Sequence, residues 1–274
     1  MSVFRDLFDV PAGTPLPADK MPSIFVGHGN PMNAIEDNEF SRGWAAIART
    51  IPTPRAILCI SAHWETRGTC VTTMERPRTI HDFYGFPREL FAVEYPAPGS
   101  PLLAESVKTS LAGVTVEPDN EWGLDHGCWS VIMKMYPRAD IPVVQMSLDH
   151  FKPLRWHFEL ATELAVLRRR GVLIVGSGNM VHNLGMVDLA RPEGGYEWAE
   201  EINRHMKESI LAHHDTALTN IESLGTTASL AIPTAEHYIP MLSILGTRNG
   251  DEEIRFFNDK CVMGSLSMTS FVIG

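Results

Sequence analysis

The chain has 274 residues, with Lys+Arg 23 against Asp+Glu 33 and a formal net charge of −10. That acidic balance argues against nucleic acid and anionic membrane as main partners, and no stretch approaches the roughly 20 apolar residues of a membrane span. A hydrophobic content of 44% and a charged content of 20% suit a soluble globular protein long enough to bury a large core.

In chain order, residues 1–21 read as an extended lead-in, because Pro11, Pro15, Pro17 and Pro22 punctuate it. It carries no signal-peptide pattern, so the expected compartment is the cytoplasm. One domain is expected over 22–274. Short apolar runs at Ser23–Val26, Ala56–Ile60, Ile141–Met146, Val172–Val175 and Ser229–Ile232 predict strands covered on both faces. Between them lie helical stripes. Phe40, Trp44, Ile47 and Ile51 repeat at three to four. Ser100-Pro101 reads as an N-cap and first-turn proline ahead of Leu103, Val107 and Leu111. Phe158, Ala161, Leu164 and Leu167 run into Arg168–Arg170 and Gly171, a helix stop. Trp198, Ile202, Met206 and Ile210 form the last stripe. The alternation predicts an α/β fold: a single domain with a central, mostly parallel or mixed sheet flanked by helices.

The four cysteines, Cys59, Cys70, Cys128 and Cys261, show no paired spacing, so reduced thiols are expected. The histidines are more informative. Of 11, four fall at or just past the ends of predicted strands: His28 after Ser23–Val26, His63 after Ala56–Ile60, His182 after Val172–Val175 and His237 after Ser229–Ile232. In an open α/β sheet the carboxyl edge of the strands carries the ligand crevice. Neutral imidazole is the commonest nitrogen ligand for zinc, iron and copper. Four imidazoles at one edge therefore predict a metal site, with Gly27 and Gly29 turning the backbone sharply and clearing space near the ion. His126 sits in Asp125-His126-Gly127, read as a loop ahead of a helix at Ser130–Tyr136. His81 opens an aromatic loop, His81-Asp82-Phe83-Tyr84-Gly85-Phe86-Pro87, where it either lines a pocket or pairs with Asp82. Phe83, Tyr84 and Tyr238 are candidate walls. His150, His157, His205, His213 and His214 read as structural.

Competing motifs fail. Gly176-Ser177-Gly178-Asn179-Met180-Val181 starts like a dinucleotide loop, but Val181 replaces the last glycine. Ser177 lacks the nucleophile elbow because residue 175 is valine. There is no P-loop and no H-E-x-x-H. A zinc hydrolase on the same histidines, with Glu236 as base, and a non-catalytic binding protein of the same fold remain open on these residues alone.

The blocks GHGNPMNAIEDN, ISAHW, TIHDFYGFP, YPAPGSP, WGLDHGCWSVIMKMYP, SGNMVHNL, PTAEHYIPML and MGSLSMTSF resemble the 4,5-DOPA extradiol dioxygenases, which are LigB-like, class III ring-cleavage enzymes. The resemblance runs from about Met21 to Gly274. It implies one divalent metal ion per chain, Zn2+ or Fe2+, with Fe2+ expected for O2 chemistry. His28, His63 and His237 match the metal ligands. His182 matches a residue that is a fourth ligand or an acid/base, and His126 a catalytic histidine beside the metal. Glu236, beside His237, is taken as a neighbour of the ligand. The implied reaction inserts O2 into a catechol to give a muconic semialdehyde. The implied partners are a small aromatic catechol and O2, with the chain a monomer or small homo-oligomer.

Overall fold

In the computed structural model, which describes residues 20–225 and 227–274, Ile24 and Val26 leave the first strand on one side and Phe25 on the other. All three are fully buried. The same division repeats along the neighbouring strands. Leu58, Ile60 and Ile174 face one apolar cluster, and Ile57, Cys59, Leu173 and Val175 face the other. Two buried faces need continuous apolar strands, which is why these runs show no polar alternation. The expected lead-in over 1–21 lies outside the described residues, apart from Lys20 and Met21.

Among the described residues, ten strands form two sheets. They are β1 (Ser23–Gly27), β2 (Ala56–Thr66), β3 (Thr69–Thr72), β4 (Val116–Asp119), β5 (Val143–Asp149), β6 (Val172–Gly178), β7 (Ile254–Phe257), β8 (Cys261–Val262), β9 (Leu266–Ser267) and β10 (Ser270–Ile273). The large sheet has the order β4-β3-β5-β2-β6-β1-β10-β7, and β8-β9 is a small ribbon. Its centre is parallel: β5 with β2, β2 with β6, and β6 with β1. β3 runs antiparallel to β5, and β10 and β7 close the other end in antiparallel fashion. The sheet is therefore mixed, and the α/β expectation holds.

Six longer helices cover it: α1 (Glu39–Thr50), α2 (Pro101–Ser110), α3 (His126–Met135), α4 (Leu154–Arg168), α5 (Glu197–Leu211) and α6 (Ile239–Gly246). Trp44 of α1 and Trp129 and Ile132 of α3 fill one side. Leu103 and Val107 of α2, Leu160 and Leu164 of α4, Ile202 and Met206 of α5 and Leu242 of α6 fill the other. Ser100 caps α2 as read, its hydroxyl accepting the Leu103 N–H at 3.1 Å. One expected strand is absent. Ala228–Ala231 is a single helical turn instead of a strand over Ser229–Ile232. Four small or apolar residues carry no period that separates strand from helix.

Arg168 stands in the last turn of α4, as read, but does more than end the helix. Its side chain is fully buried, and it donates to the carbonyls of Met21, Thr247 and Ile273 and to both oxygens of Glu252. It thereby ties the entry to β1, the end of β10 and the end of α6 to α4. Removing one partner of a buried pair strands the other charge, so Arg168→Ala should cost on the order of 3–5 kcal/mol in thermal or denaturant unfolding. A loss below about 1 kcal/mol, the size of a surface pair, would show the pair to be idle. Burial alone would raise the Glu252 carboxyl, but hydrogen bonds from Arg168 and Lys20 outweigh it and hold it below its ordinary 4.5. A carboxyl depressed on folding stabilises above its unfolded pKa, and that contribution is lost as pH falls through the folded value. Glu252→Gln should therefore flatten the acid limb of the stability curve.

Candidate metal centre

β1, β6 and β2 lie side by side and parallel, so their carboxyl ends share one edge. His28 follows β1 directly and its N–H donates to the Gly178 carbonyl at 3.1 Å. Next to it, Gly29 takes φ +58°, and a Cβ there would stand 2.4 Å from the Met268 sulfur. A Cβ on Gly27 would stand 2.7 Å from the Met268 carbonyl carbon. The two glycines thus seat the turn against the Met268 segment. Pro31 then opens a 3-10 turn (Pro31–Ala34), capped by the Asn30 side chain.

His63 lies inside β2 rather than past its end. The β2–β5 ladder jumps from Ile60↔Met146 to Glu65↔Leu148, so residues 61–64 of β2 oppose residue 147 alone. A bulge of this kind re-aims side chains, and here it carries His63 to the edge. His126 is the first residue of α3, not a loop residue, and Asp125 is that helix's N-cap. Buried Asp125 accepts the Cys128 N–H at 3.0 Å, the Ser61 hydroxyl at 2.7 Å and the Gln145 amide at 2.7 Å. Burial, reinforced by Asp82, raises its pKa despite these bonds. His237 does not follow a strand. It precedes α6, and its carbonyl accepts the Asn179 N–H at 2.8 Å. A Cβ on Gly178 would stand 2.2 Å from that oxygen, so only glycine lets the segment sit on the end of β6. His182 is four residues beyond β6, held by its N–H on the Ala231 carbonyl at 2.9 Å.

All five histidines of the expected site meet. Nitrogens of His28, His63 and His126 lie within 4.8 Å of one another, and so do donor atoms of His182, Glu236 and His237. Ring positions divide the five into three spaced as ligands of one ion would be and two that are not. Centroids of His28, His63 and His237 form a triangle with every side 5.0 Å. An imidazole nitrogen about 2.1 Å from a metal puts its ring centroid a little over 3 Å away, so ligands roughly 90–110° apart have centroids about 5 Å apart. His126 breaks this pattern, at 3.9 Å from His63 and 5.7 Å from His28. His182 stacks on His237, with centroids 3.4 Å apart and planes within 10°. Lone pairs lie in the ring plane, and two nearly parallel planes at that spacing leave no point for one ion to lie in both.

Tautomers follow from the partners. Ser177 donates its hydroxyl to the Gly127 carbonyl at 2.6 Å, so it accepts from His28 Nδ1–H at 3.0 Å. Asn179 donates its amide to the Ser267 carbonyl, so its Oδ1 accepts from His237 Nδ1–H at 3.2 Å. The Asp82 carboxylate stands 3.4 Å from His63 Nδ1. Each ring thus keeps a bare Nε2. The Nε2 atoms of His28 and His63 face each other across 3.1 Å, a contact between lone pairs that calls for a cation. Burial, then neighbouring histidines, lowers the pKa of His28 and His237 and takes His63 down to about 3, so these rings stay neutral. Burial, then His126, lowers His182 to about 4. Three bare Nε2 atoms, each oriented from behind, fit a divalent ion.

Asp82 has a larger part than sequence reasoning gave it. It does not pair with His81, whose Nε2 donates to the Val93 carbonyl at 3.0 Å. Its Oδ1 accepts the His126 N–H at 2.8 Å, and its Oδ2 lies 3.0 Å from His126 Nδ1. That nitrogen is off the line of a hydrogen bond and has no other partner. Burial opposes ionisation of Asp82, but its contacts with His126 and His63 lower its pKa. Ser177 and Asn179 were also missed as supports, although both stand in the SGNMVHNL block. The histidines floor a cleft of about 350 Å³. Phe83 and Tyr84 line it, as do Leu184, Val187, Leu189, Met263 and Leu266, which periodicity did not single out. Tyr238 does not line it. Its ring is buried and its hydroxyl donates to the Leu218 carbonyl.

The family described as "Catalytic LigB subunit of aromatic ring-opening dioxygenase" matches residues 21–272. A protein of Escherichia coli K12 named "4,5-DOPA dioxygenase extradiol" is 47% identical over 260 residues, covering 93% of this chain and 95% of the relative. One of the same name from Beta vulgaris is 34% identical over 255 residues, covering 91% of this chain and 95% of the relative. A solved structure of an uncharacterised Escherichia coli K12 protein superposes with a TM-score of 0.82 at 44% identity, covering 93% of this chain and all of that one.

Proposed function

Because the chain belongs to the family of the catalytic LigB subunit of aromatic ring-opening dioxygenases and is an extradiol ring-cleaving dioxygenase, we propose that its catechol binds over one Fe2+ held by His28, His63 and His237. The observation that carries this reading is the 5.0 Å triangle of rings, each with a bare Nε2, at the floor of the cleft. When bound, the ion supplies a chelating centre for the two catechol oxygens and the redox chemistry that O2 requires.

The chain's own residues do the rest. Three neutral imidazoles leave the ion's charge uncompensated, which favours a catecholate over a neutral diol. His126 stands beside Asp82 with Nδ1 toward the carboxylate and so offers Nε2 to a substrate hydroxyl proton. His182 lies flat against His237, outside the ligand set; kept neutral by burial, it would first take a proton from the substrate and return it as acid when the ring opens. Phe83 places its ring edge-on to His126, with centroids 5.5 Å apart, and walls the aromatic substrate. DOPA, the compound named in the relatives, is the first catechol to try.

Fe2+-loaded protein given catechols in air should consume O2 and turn yellow as the semialdehyde forms. No uptake with any catechol would sink the reading. Zinc binds the same nitrogens but has no redox chemistry. Zinc-only protein should therefore be inactive, and full activity with zinc alone would refute the assignment of iron. No helix among the described residues is long and apolar enough to cross a membrane, which fits a small diffusible substrate in the cytoplasm, with the chain a monomer or small homo-oligomer.

A further inference from the structure

We propose that Asn30 and Tyr84 form a subsite for the carboxylate of an amino-acid substituent on the catechol ring, so these two side chains select DOPA-like substrates over catechols without an acid. This rests on the reading of the cleft floor as the catechol site. A catechol that presents both oxygens to the floor carries a substituent para to one of them on the far side of its ring, toward the outer cleft. The walls there are mostly apolar, with Leu184, Val187, Leu189 and Met263 among them. Beyond the five histidines and Asp82 at the floor, Asn30 and Tyr84 are the only polar side chains lining the cleft among the described residues. They stand on neighbouring segments. Asn30 precedes the Pro31–Ala34 turn, and the turn Arg88–Phe91, which follows the Tyr84 loop, packs against it.

Both residues have a donor to spare. Asn30 Oδ1 accepts the Met32 N–H at 2.9 Å, which fixes the amide. Its oxygen is taken by the turn, and its Nδ2 is left without a partner among the described residues. The residue is half-buried and two positions past His28, so the turn that leaves the metal site also positions this amide. Tyr84 is 92% exposed, and its hydroxyl has no partner among the described residues. An N–H or O–H donated to a carboxylate makes a charge-assisted bond, stronger than a neutral one. None of the described residues lining the cleft is Lys or Arg. The acid is therefore met by neutral donors at a rim open to water and keeps part of its hydration, while the ammonium of an amino acid stays in solvent. Such bonds gain less than buried ones, about tenfold for half-buried Asn30 and about threefold for Tyr84.

The test measures O2 uptake by the Fe2+-loaded full chain with DOPA, 3,4-dihydroxyphenylpropanoate, dopamine and 4-ethylcatechol. These carry both charges, the carboxylate alone, the ammonium alone and neither. The two carboxylates should exceed the other two at least about tenfold in kcat/KM, through KM rather than kcat. Asn30→Asp keeps an oxygen for the Met32 N–H but turns the donor into an anion. It should cut the ratio of DOPA to 4-ethylcatechol at least about tenfold and invert the order of DOPA and dopamine. Tyr84→Phe keeps the ring and should cut the same ratio about threefold. Metal content per folded chain equal to that of the parent shows the floor intact. If Asn30→Asp loses metal, the substrate series and Tyr84→Phe decide alone. Carboxylates no better than 4-ethylcatechol, or ratios unmoved by both variants, overturn the subsite and leave the ring-cleavage reading standing. Failure of the parent to cleave any of the four overturns both.

Discussion

Replacing His28 by alanine should empty the site of metal. The side chain is 2% exposed, its Nδ1–H is committed to Ser177, and its Nε2 stands 3.1 Å from that of His63. Neither nearby ring is aimed to take its place, because His126 is turned toward Asp82 and His182 lies in a plane parallel to His237. His63→Ala and His237→Ala should do the same, each leaving two nitrogens of the 5.0 Å triangle. Losing a partner behind a ligand costs roughly 10–100-fold in metal affinity, and losing the ligand itself should cost more. Ser177→Ala and Asn179→Ala therefore serve as graded controls. Metal content per folded chain after dialysis at micromolar free ion, with circular dichroism to show the fold intact, decides the matter. A full equivalent retained by His28→Ala and by His63→Ala would refute the ligand set.

How much of this site was legible depends on how local each cause is. His28 could be read because β1 is a short apolar run ending in Gly27-His28, and a buried parallel strand writes itself as such a run. His182 could be read for the same reason from β6. His63 was placed at the right edge for an incomplete reason. The strand continues to Thr66, and it is the mismatch with β5 that delivers the ring, a pairing irregularity that periodicity in one strand does not encode. His237 was drawn from a strand that proved to be a helical turn. It reaches the site because Gly178 has no side chain to hold it away. The ligand assignment itself came from family resemblance, not from spacing. Asp82 was seen only as a neighbour of His81, since its partners His63 and His126 lie 19 and 44 residues away. The apolar lining was invisible for a related cause: Leu184 and Leu189 carry no helical or strand period, and only the folded chain brings them to the same cleft as Tyr84.

A different loss is expected at His126. His126→Gln should keep the metal, because this ring stands outside the 5.0 Å triangle, yet lower kcat by about 10²–10⁴-fold, the usual contribution of a positioned acid or base. KM for catechol should change little, since the chelating ion and the apolar walls are untouched. Asp82→Asn should approach the same kcat for a separate reason. The carboxylate fixes His126 through its backbone N–H at 2.8 Å and faces Nδ1 of both His126 and His63. The amide keeps the shape but presents a neutral oxygen or an N–H to those nitrogens, so His126 loses its orienting charge and His63 a partner behind the metal. Asp82→Asn should therefore also weaken metal binding by roughly 10–100-fold, whereas His126→Gln should not. The double variant should be no slower than the worse single one, because both changes interrupt one proton path. Metal titration beside steady-state O2 uptake separates the outcomes. Loss of metal from His126→Gln would move that residue into the ligand set, and unchanged kcat in both variants would leave His182 as the only histidine able to move protons at this site.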